Sequence, residues 1–280
     1  TNYDYEIIVH EIGHALGLKH PFAPLGDNKY VLPQFEDNSS LTAMTYTENE
    51  AFFNGELRVF DYLTLVGIYG INPNYNNTNN KYEFTASGPT FIIDAGGRDV
   101  IDASAYSEDV FVDLRENGHS YVGVKHQYIS APFQLAISEN SVIEDTQTGS
   151  GNDHIVGNNS DNHIIANAGD DVIYPGEGRD LVEPGKGQNQ VNLYELVLEN
   201  DFIIFDTEIS EQKTEIYNFN VTGVCDVLVF DCDIKPSVRI SPIMKFTGSG
   251  DFGSYDIFFY TDFNSSWAHD LITSSTKTDK

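Results

Sequence analysis

Two periodicities of apolar residues divide the chain. Near the front, Ile8, Ile12 and Ala15 recur at helical spacing, which predicts an amphipathic helix over 4–16 with these three as its apolar face. Asp4 is placed to cap its start, and Glu6 puts negative charge in its first turn. A second helix is predicted over 60–70, where Leu63, Val66 and Gly67 share a face and Gly70 is a natural stop. From Thr148 to Asn192 the period is nine, with units opening at Thr148, Gly157, Ala166, Pro175 and Pro184. Their eighth positions are all β-branched: Ile155, Ile164, Ile173, Val182 and Val191. Their sixth positions are Asp153, Asn162, Asp171, Asp180 and Asn189, and the fourth is glycine in every unit but the second, which has Ser160. Each unit reads as a tight turn needing positive φ, followed by a short strand whose eighth residue points inward. A flexible Gly/Asp linker would show no such apolar phase. Further strands are predicted at 90–93, 109–114, 134–137, 216–219, 226–230 and 255–260. An Asn-rich linker is expected over 73–81.

The first helix carries chemistry. Residues 10–20 read His-Glu-Ile-Gly-His-Ala-Leu-Gly-Leu-Lys-His. His10 and His14, four apart, project from one side of a helix. Gly17 permits a left-handed turn that ends the helix and brings His20 back as a third ligand. Three histidines leave a fourth tetrahedral position open, the pattern of a catalytic zinc rather than a structural one. Zinc lowers the pKa of bound water to about 7, and Glu11 is placed to act as its general base. A bare H-E-x-x-H arises by chance in roughly 3% of chains this long, and adding Gly17 and His20 lowers that to about one in ten thousand. Three ordinary core histidines are therefore the weaker reading.

Composition changes the picture in three ways. The 280 residues, 40% of them hydrophobic, leave room for two packed domains, with a boundary expected between 1–72 and 73–280. The net charge of −28 disfavours nucleic acid and anionic membranes. Lys and Arg are absent between Gln127 and Gly178, so the repeats are an acidic tract suited to cations. A run of 18 or more apolar residues does not occur, so no membrane span is expected. Cys225 and Cys232 form neither a disulfide framework nor a cysteine zinc site. Pairing with each other and two buried, inert thiols both stay open, the second being favoured. The chain opens at Thr1 without a leader and is at once inside the active-site helix, so it reads as part of a longer protein.

The motif of residues 10–20 is similar to the metzincin metalloprotease signature. Leu41-Thr42-Ala43-Met44-Thr45-Tyr46 resembles the Met-turn of that group, in the form with Tyr two residues after Met. His20-Pro21, the run 60–70 ending Tyr-Gly, and Asp94-Ala95-Gly96-Gly97-Arg98-Asp99 with Asp102 resemble the serralysins, secreted bacterial zinc proteases. The nonapeptides are similar to RTX repeats. The resemblance spans about residues 4–233. It implies an α+β metzincin catalytic portion (active-site helix, Met-turn and C-terminal helix), followed by an all-β parallel β-roll or sandwich. It implies one catalytic zinc on His10, His14 and His20, Met44 packed beneath them, and Tyr46 reaching the metal and stabilising the oxyanion. Several structural calcium ions are expected, as hard cations held by oxygen ligands. Asp153, Asp171 and Asp180 are the chief candidates and Asn162 a weaker one, with Asp99 and Asp102 added by the resemblance alone. The double glycine is often lost and Asn162 and Asn189 are neutral, so fewer or weaker calcium sites are expected than in a full array. Protein or peptide substrates, an extracellular location, a monomer and type I secretion machinery complete the expectation, although 274–280 does not match the acidic-then-apolar tail of the family. A metzincin also needs an upstream half holding the substrate strand, which these 280 residues do not include. The competing expectation is a non-enzymatic calcium-binding β-roll, a scaffold or adhesion module with a vestigial zinc site.

Overall fold

The computed structural model describes residues 2–47, 56–194, 199–205, 213–217, 227–230, 235–240, 243–250 and 253–260. Two helices precede an all-β remainder: α1 Asn2–Ala15 and α2 Val59–Tyr69. Helix α1 begins at Asn2, so Asp4 lies inside its first turn and does not cap it. Its end is a Schellman turn: Gly17 takes φ 95°, Leu18 N–H donates to Gly13 O at 2.9 Å and Gly17 N–H to His14 O at 3.0 Å. The expected apolar face of α1 is a correction. Ile8 and Ile12 are 54% and 49% exposed, because the neighbouring segments pack on the Gly13 flank instead. Helix α2 stops as expected, with Gly70 N–H bonded to Val66 O at 2.8 Å.

The β part winds as a parallel coil. Strands β7 Asp145–Gln147, β9 His163–Ile165, β11 Leu181–Glu183, β13 Phe202–Phe205 and β15 Val227–Phe230 stack in parallel in one sheet, with β1 Lys81–Glu83 and β3 Val100–Asp102 at its near end. Strands β8 His154–Val156, β10 Val172–Tyr174, β12 Gln188–Asn192 and β14 Lys213–Tyr217 stack in parallel in the other. Each nonapeptide thus supplies one turn and one strand, and two of them complete a coil, so that Ile155 stands beside Ile173 and Ile164 beside Val182. The second sheet is extended by β4 Val110–Asp113, β5 His119–Val122, β6 Gln134–Ile137 and β2 Thr90–Ile92 on one side, and by β16 Lys235–Ile240, β17 Ile243–Gly250 and β18 Gly253–Tyr260 on the other. The sequence-predicted strands are all present in part. Asn218, Phe219 and Asp226 lie outside the described residues, as do both cysteines and the 274–280 tail.

All five eighth-position residues are fully buried, joined by Ile101, Val112, Ile203 and Ile216 from strands beyond the repeats. The coil therefore outruns the visible period on both sides. Each such side chain contributes about 1.5–3 kcal/mol on burial. The turns stack so closely that a Cβ built on Gly169, φ 126°, would lie 1.9 Å from Gly151 O, a position only glycine can fill. The Asn-rich 73–81 stretch is tied down rather than free. Ala95 N–H donates to Tyr75 O (3.1 Å), Val100 N–H to Asn80 O (3.0 Å) and Asn76 Nδ2 to Ile93 O (2.9 Å).

Among the described residues, contacts of the front with the coil include Phe60 against Phe91, Phe35 stacked on Tyr128, and Ser130 N–H donating to Glu36 Oε1 at 3.0 Å. Ile164→Ala is expected to cost about 2–5 kcal/mol, as a cavity in a core that cannot collapse. His163→Ala, one residue away on the outer face, is expected to cost under about 1 kcal/mol. Denaturant titration of both variants checks the inward phase, and equal losses would refute it.

Candidate metal centre

Helix α1 presents His10 and His14 on one side, and the Schellman turn carries the chain back so that His20 meets them. His20 Nε2 lies 3.1 Å from His10 Nε2 and 3.1 Å from His14 Nε2. Nitrogens held at 2.0–2.1 Å by one tetrahedral ion would sit about 3.3 Å apart. The other ring nitrogens are committed: His10 Nδ1 to Ala43 O at 2.8 Å, and His14 Nδ1 to Leu18 O at 2.9 Å. A carbonyl only accepts, so each Nδ1 carries the proton and each Nε2 turns a lone pair inward. Burial first, then the neighbouring His14 and His10, lower the pKa of His20 against the pull of Glu11, a shift toward the neutral form that a metal ligand needs. Three converging imidazole nitrogens fit a borderline-soft cation such as zinc. Among the described residues, this is the one group of three or more His, Cys, Asp or Glu whose ligand atoms lie within 4.8 Å of one another.

The segment 41–46 supports the trio from below. Met44 is buried with its sulfur against α1, where a Cβ on Gly13 would stand 2.4 Å from Sδ. Glycine in the motif is thus a packing requirement. Asp61 on α2 holds this segment: its buried carboxylate accepts from Thr42 Oγ1 (2.7 Å), Ala43 N–H (2.7 Å) and Arg58 N–H (2.8 Å). The Ala43 carbonyl in turn orients His10, so Asp61 acts on the centre through one intervening residue. Tyr46 points its hydroxyl to 2.9 Å from His20 Nε2, and Phe22 stacks on the His20 ring with centroids 5.0 Å apart. Glu11 is exposed beside the histidines.

The sixth-position residues of the repeats lie apart from this centre, in two columns of turns along the roll. In one column Val110 N–H donates to Asp153 Oδ1 (2.7 Å), Asp153 N–H to Asp171 Oδ1 (2.8 Å) and Asp171 N–H to Asn189 Oδ1 (3.0 Å). In the other, Asn162 N–H donates to Asp180 Oδ1 (2.8 Å) and Asp180 N–H to Asp201 Oδ1 (2.9 Å). The second oxygens of Asp153 and Asp171 are buried without a hydrogen-bond partner. Burial, reinforced by the charges of Asp153, Asp170 and Asp109, pushes the Asp171 carboxyl up to about 8 despite the hydrogen bond from Asp153 N–H. Asp99 is also buried, its Oδ1 accepting Asn80 N–H at 2.7 Å and its Oδ2 without a partner. Burial together with Asp94 and Glu144 raises Asp99 to about 6. Asp102 is placed differently. Burial opposes its ionisation, but Lys81 at 2.6 Å and Ser104 hold it below its usual range. Hard oxygen donors in rows, short of positive charge, fit calcium at the buried aspartates, whereas Asp102 already has its cation. Asp61 and Asp201 were missed in the sequence. The second sits 21 residues after Asp180, out of phase with the repeat.

A parallel β-roll joined to a cluster of three histidines spaced to hold a metal ion is thus the class of protein that fold and site define. The sequence profile described as "Peptidase M10 serralysin C terminal" matches residues 63–270, more than half of the chain. The chain belongs to this family, one of metalloproteases. It is 33% identical over 185 residues to Serralysin from Proteus mirabilis, covering 57% of this chain and 36% of that protein. It is 35% identical over 179 residues to Serralysin C from Dickeya chrysanthemi, covering 55% and 36%. With Metallopeptidase AprA from Pseudomonas marginalis the identity is 29% over 189 residues, covering 57% and 38%. The chain spans little more than a third of the length of these relatives. Among the described residues, no helix is long and apolar enough to cross a membrane.

Asp61→Ala removes the clamp on the Ala43 peptide, and zinc affinity is expected to fall about tenfold or more, as for other groups that orient a ligand indirectly. Competition with a chromophoric chelator reads this, and an unchanged affinity would refute the relay. A second expectation concerns pH. Asp171 is raised from 3.8 to about 8 in the fold. Between those values the folded state keeps a proton that the unfolded state has lost, so stability falls as pH rises. The thermal midpoint of calcium-stripped protein should be lower at pH 8 than at pH 5.5, and the opposite slope would remove the buried acid.

Proposed function

We propose that the chain carries the metal-binding portion of a secreted zinc endopeptidase together with its calcium-supported β-roll, the two dividing near residue 72. The observation that carries this reading is the convergence of three Nε2 atoms, with the Nδ1 atoms of His10 and His14 tied to backbone carbonyls so that their Nε2 lone pairs face inward. His10, His14 and His20 would hold one zinc ion. When bound, zinc polarises the scissile carbonyl and acidifies a water to a pKa of about 7. Glu11, next to His10, takes the proton from the attacking water as its oxygen bonds to the carbonyl carbon. It then delivers that proton to the amine nitrogen as the C–N bond breaks. Tyr46 donates its hydroxyl hydrogen to the carbonyl oxygen as negative charge develops there. Met44 and Gly13 keep the helix seated on the turn. Asp153, Asp171, Asp180 and Asp99 are the proposed calcium ligands, and calcium at extracellular levels would neutralise them after export through type I machinery. Substrates are proteins or peptides, and the chain acts as a monomer.

One observation favours the competing reading of a calcium-binding scaffold without activity: Tyr5, Ile8 and Ile12 leave a flank of the metal-bearing helix in solvent. Metal content and peptide hydrolysis, measured on this chain and on the full-length gene product, separate the two. Zinc near one per chain with hydrolysis in the full-length protein supports the protease. Zinc absent from both, with calcium bound, supports the scaffold. In the full-length protein Glu11→Gln should keep its zinc while hydrolysis drops by about 100-fold or more. Undiminished turnover in that variant would sink Glu11 as the base.

A further inference from the structure

The five sixth-position residues share one backbone task but not one chemistry. Asn189 and Asp171 stand in the same column of turns, both fully buried, and the Oδ1 of each accepts a backbone N–H from the neighbouring coil. They differ in the second side-chain atom. Asn189 Nδ2 donates to Pro184 O at 2.8 Å and Gly185 O at 3.1 Å, the carbonyls that open its own unit. Asp171 Oδ2 is buried with no hydrogen-bond partner. In the other column Asn162 behaves like Asn189, its Nδ2 donating to Glu144 O at 2.8 Å and to Asn158 Oδ1 at 3.1 Å. Asn158 stands where a second glycine would complete the repeat, and its own Nδ2 donates to Ile143 O at 2.7 Å and Leu114 O at 3.0 Å.

A buried carbonyl oxygen is satisfied by an N–H or by a cation. A carboxamide brings its own N–H donors, whereas a carboxylate brings only more oxygen and must recruit the cation. A calcium ion placed at the asparagine turns would have to displace hydrogen bonds already made, and would meet neutral ligands in return. We propose that turns 157–162 and 184–189 hold no calcium, because asparagine amides stand in for the ion, and that calcium enters the repeats only at the turns of Asp153, Asp171 and Asp180. This rests on the calcium reading above and divides the roll into two kinds of turn. The amide turns close without metal and survive its removal. The aspartate turns between them close only when the ion arrives.

The test compares the full chain with Asn189→Asp and Asp171→Asn, isosteric exchanges in one column. Each protein is stripped with chelator and titrated calorimetrically with calcium chloride. Thermal midpoints are recorded in chelator and in calcium. Asn189→Asp should take up one more calcium ion per chain than the wild type and melt lower in chelator. Asp171→Asn should take up one fewer and melt higher in chelator. Hydrogen exchange on the wild type needs no variant to fold: in chelator the amides of Asn158 and Ser160, whose acceptors Asn162 Oδ1 and Asn158 Oδ1 lie within their own turn, should stay protected while those of Ala168, Gly169 and Asp170, whose acceptors lie on neighbouring coils, open. Equal loss of protection in the 157–162 and 166–171 turns overturns the inference, as does an Asn189→Asp chain with unchanged stoichiometry and an unchanged midpoint in chelator. A wild type that takes up no calcium overturns instead the calcium reading on which it rests.

Discussion

In the roll, the sixth-position backbone N–H groups of Asp153, Asn162, Asp171 and Asp180 face the next coil, out of reach of water, and must be answered from there. A buried unanswered N–H costs about 1–3 kcal/mol, so a stack of such turns cannot form without a systematic acceptor. The answer is a side-chain oxygen one coil away: Asp171 serves Asp153, Asn189 serves Asp171, and Asp180 serves Asn162. Aspartate and asparagine are the two residues short enough to reach and able to accept. Outside the period the same need is met by Asp201, which serves Asp180 after a longer connection. The ladder, more than the glycines, explains why the sixth position is never anything else. It also explains the charge problem, since an aspartate that uses one oxygen for the ladder buries the other.

The metal centre depends on an analogous device at smaller scale. The turn 41–46 has no regular structure of its own to hold it, yet it must offer Ala43 O to His10 and Met44 to Gly13. Asp61 supplies what a strand or helix would otherwise give, by gathering Thr42, Ala43 and Arg58 around one buried carboxylate. The centre thus rests on three layers: histidine, carbonyl, carboxylate.

How much of this was legible in the sequence follows from where each signal is local. The histidine spacing, the stop at Gly17 and the inward phase of Ile155 to Val191 are set by neighbours within one turn or strand, and they could be read directly. The extent of the coil could not, because Ile101, Val112 and Ile203 enter the same core from connections of other lengths. Asp61 looked like one more polar residue on a helix, since the two partners that tie it to the turn, Thr42 and Ala43, lie 19 and 18 residues back. The apolar stripe of α1 was misread for a physical reason. Periodicity says which residues share a face but not whether anything covers it, and here the packed flank is the one bearing Gly13 and the histidines. Asp102 looked like Asp99 in the sequence, but Lys81, brought beside it by the pairing of β1 with β3, separates their roles.

The loop between His20 and the Met44 turn joins the two parts of the chain. Glu36 is buried and accepts Ser130 N–H from the β part, while Phe35 stacks on Tyr128 at 4.6 Å. The next residue, Asp37, accepts the hydroxyl of Thr45, the neighbour of both Met44 and Tyr46. The chain from the roll to the Tyr46 hydroxyl is therefore continuous: a backbone amide, two adjacent carboxylates, a threonine and a tyrosine. Each link is short and directional, so the loop cannot shift on the β part without moving Thr45. Such a loop, which carries no strand or helix of its own, owes its position to the domain it touches, and the wall it forms beside the histidines is as firm as the roll beneath it.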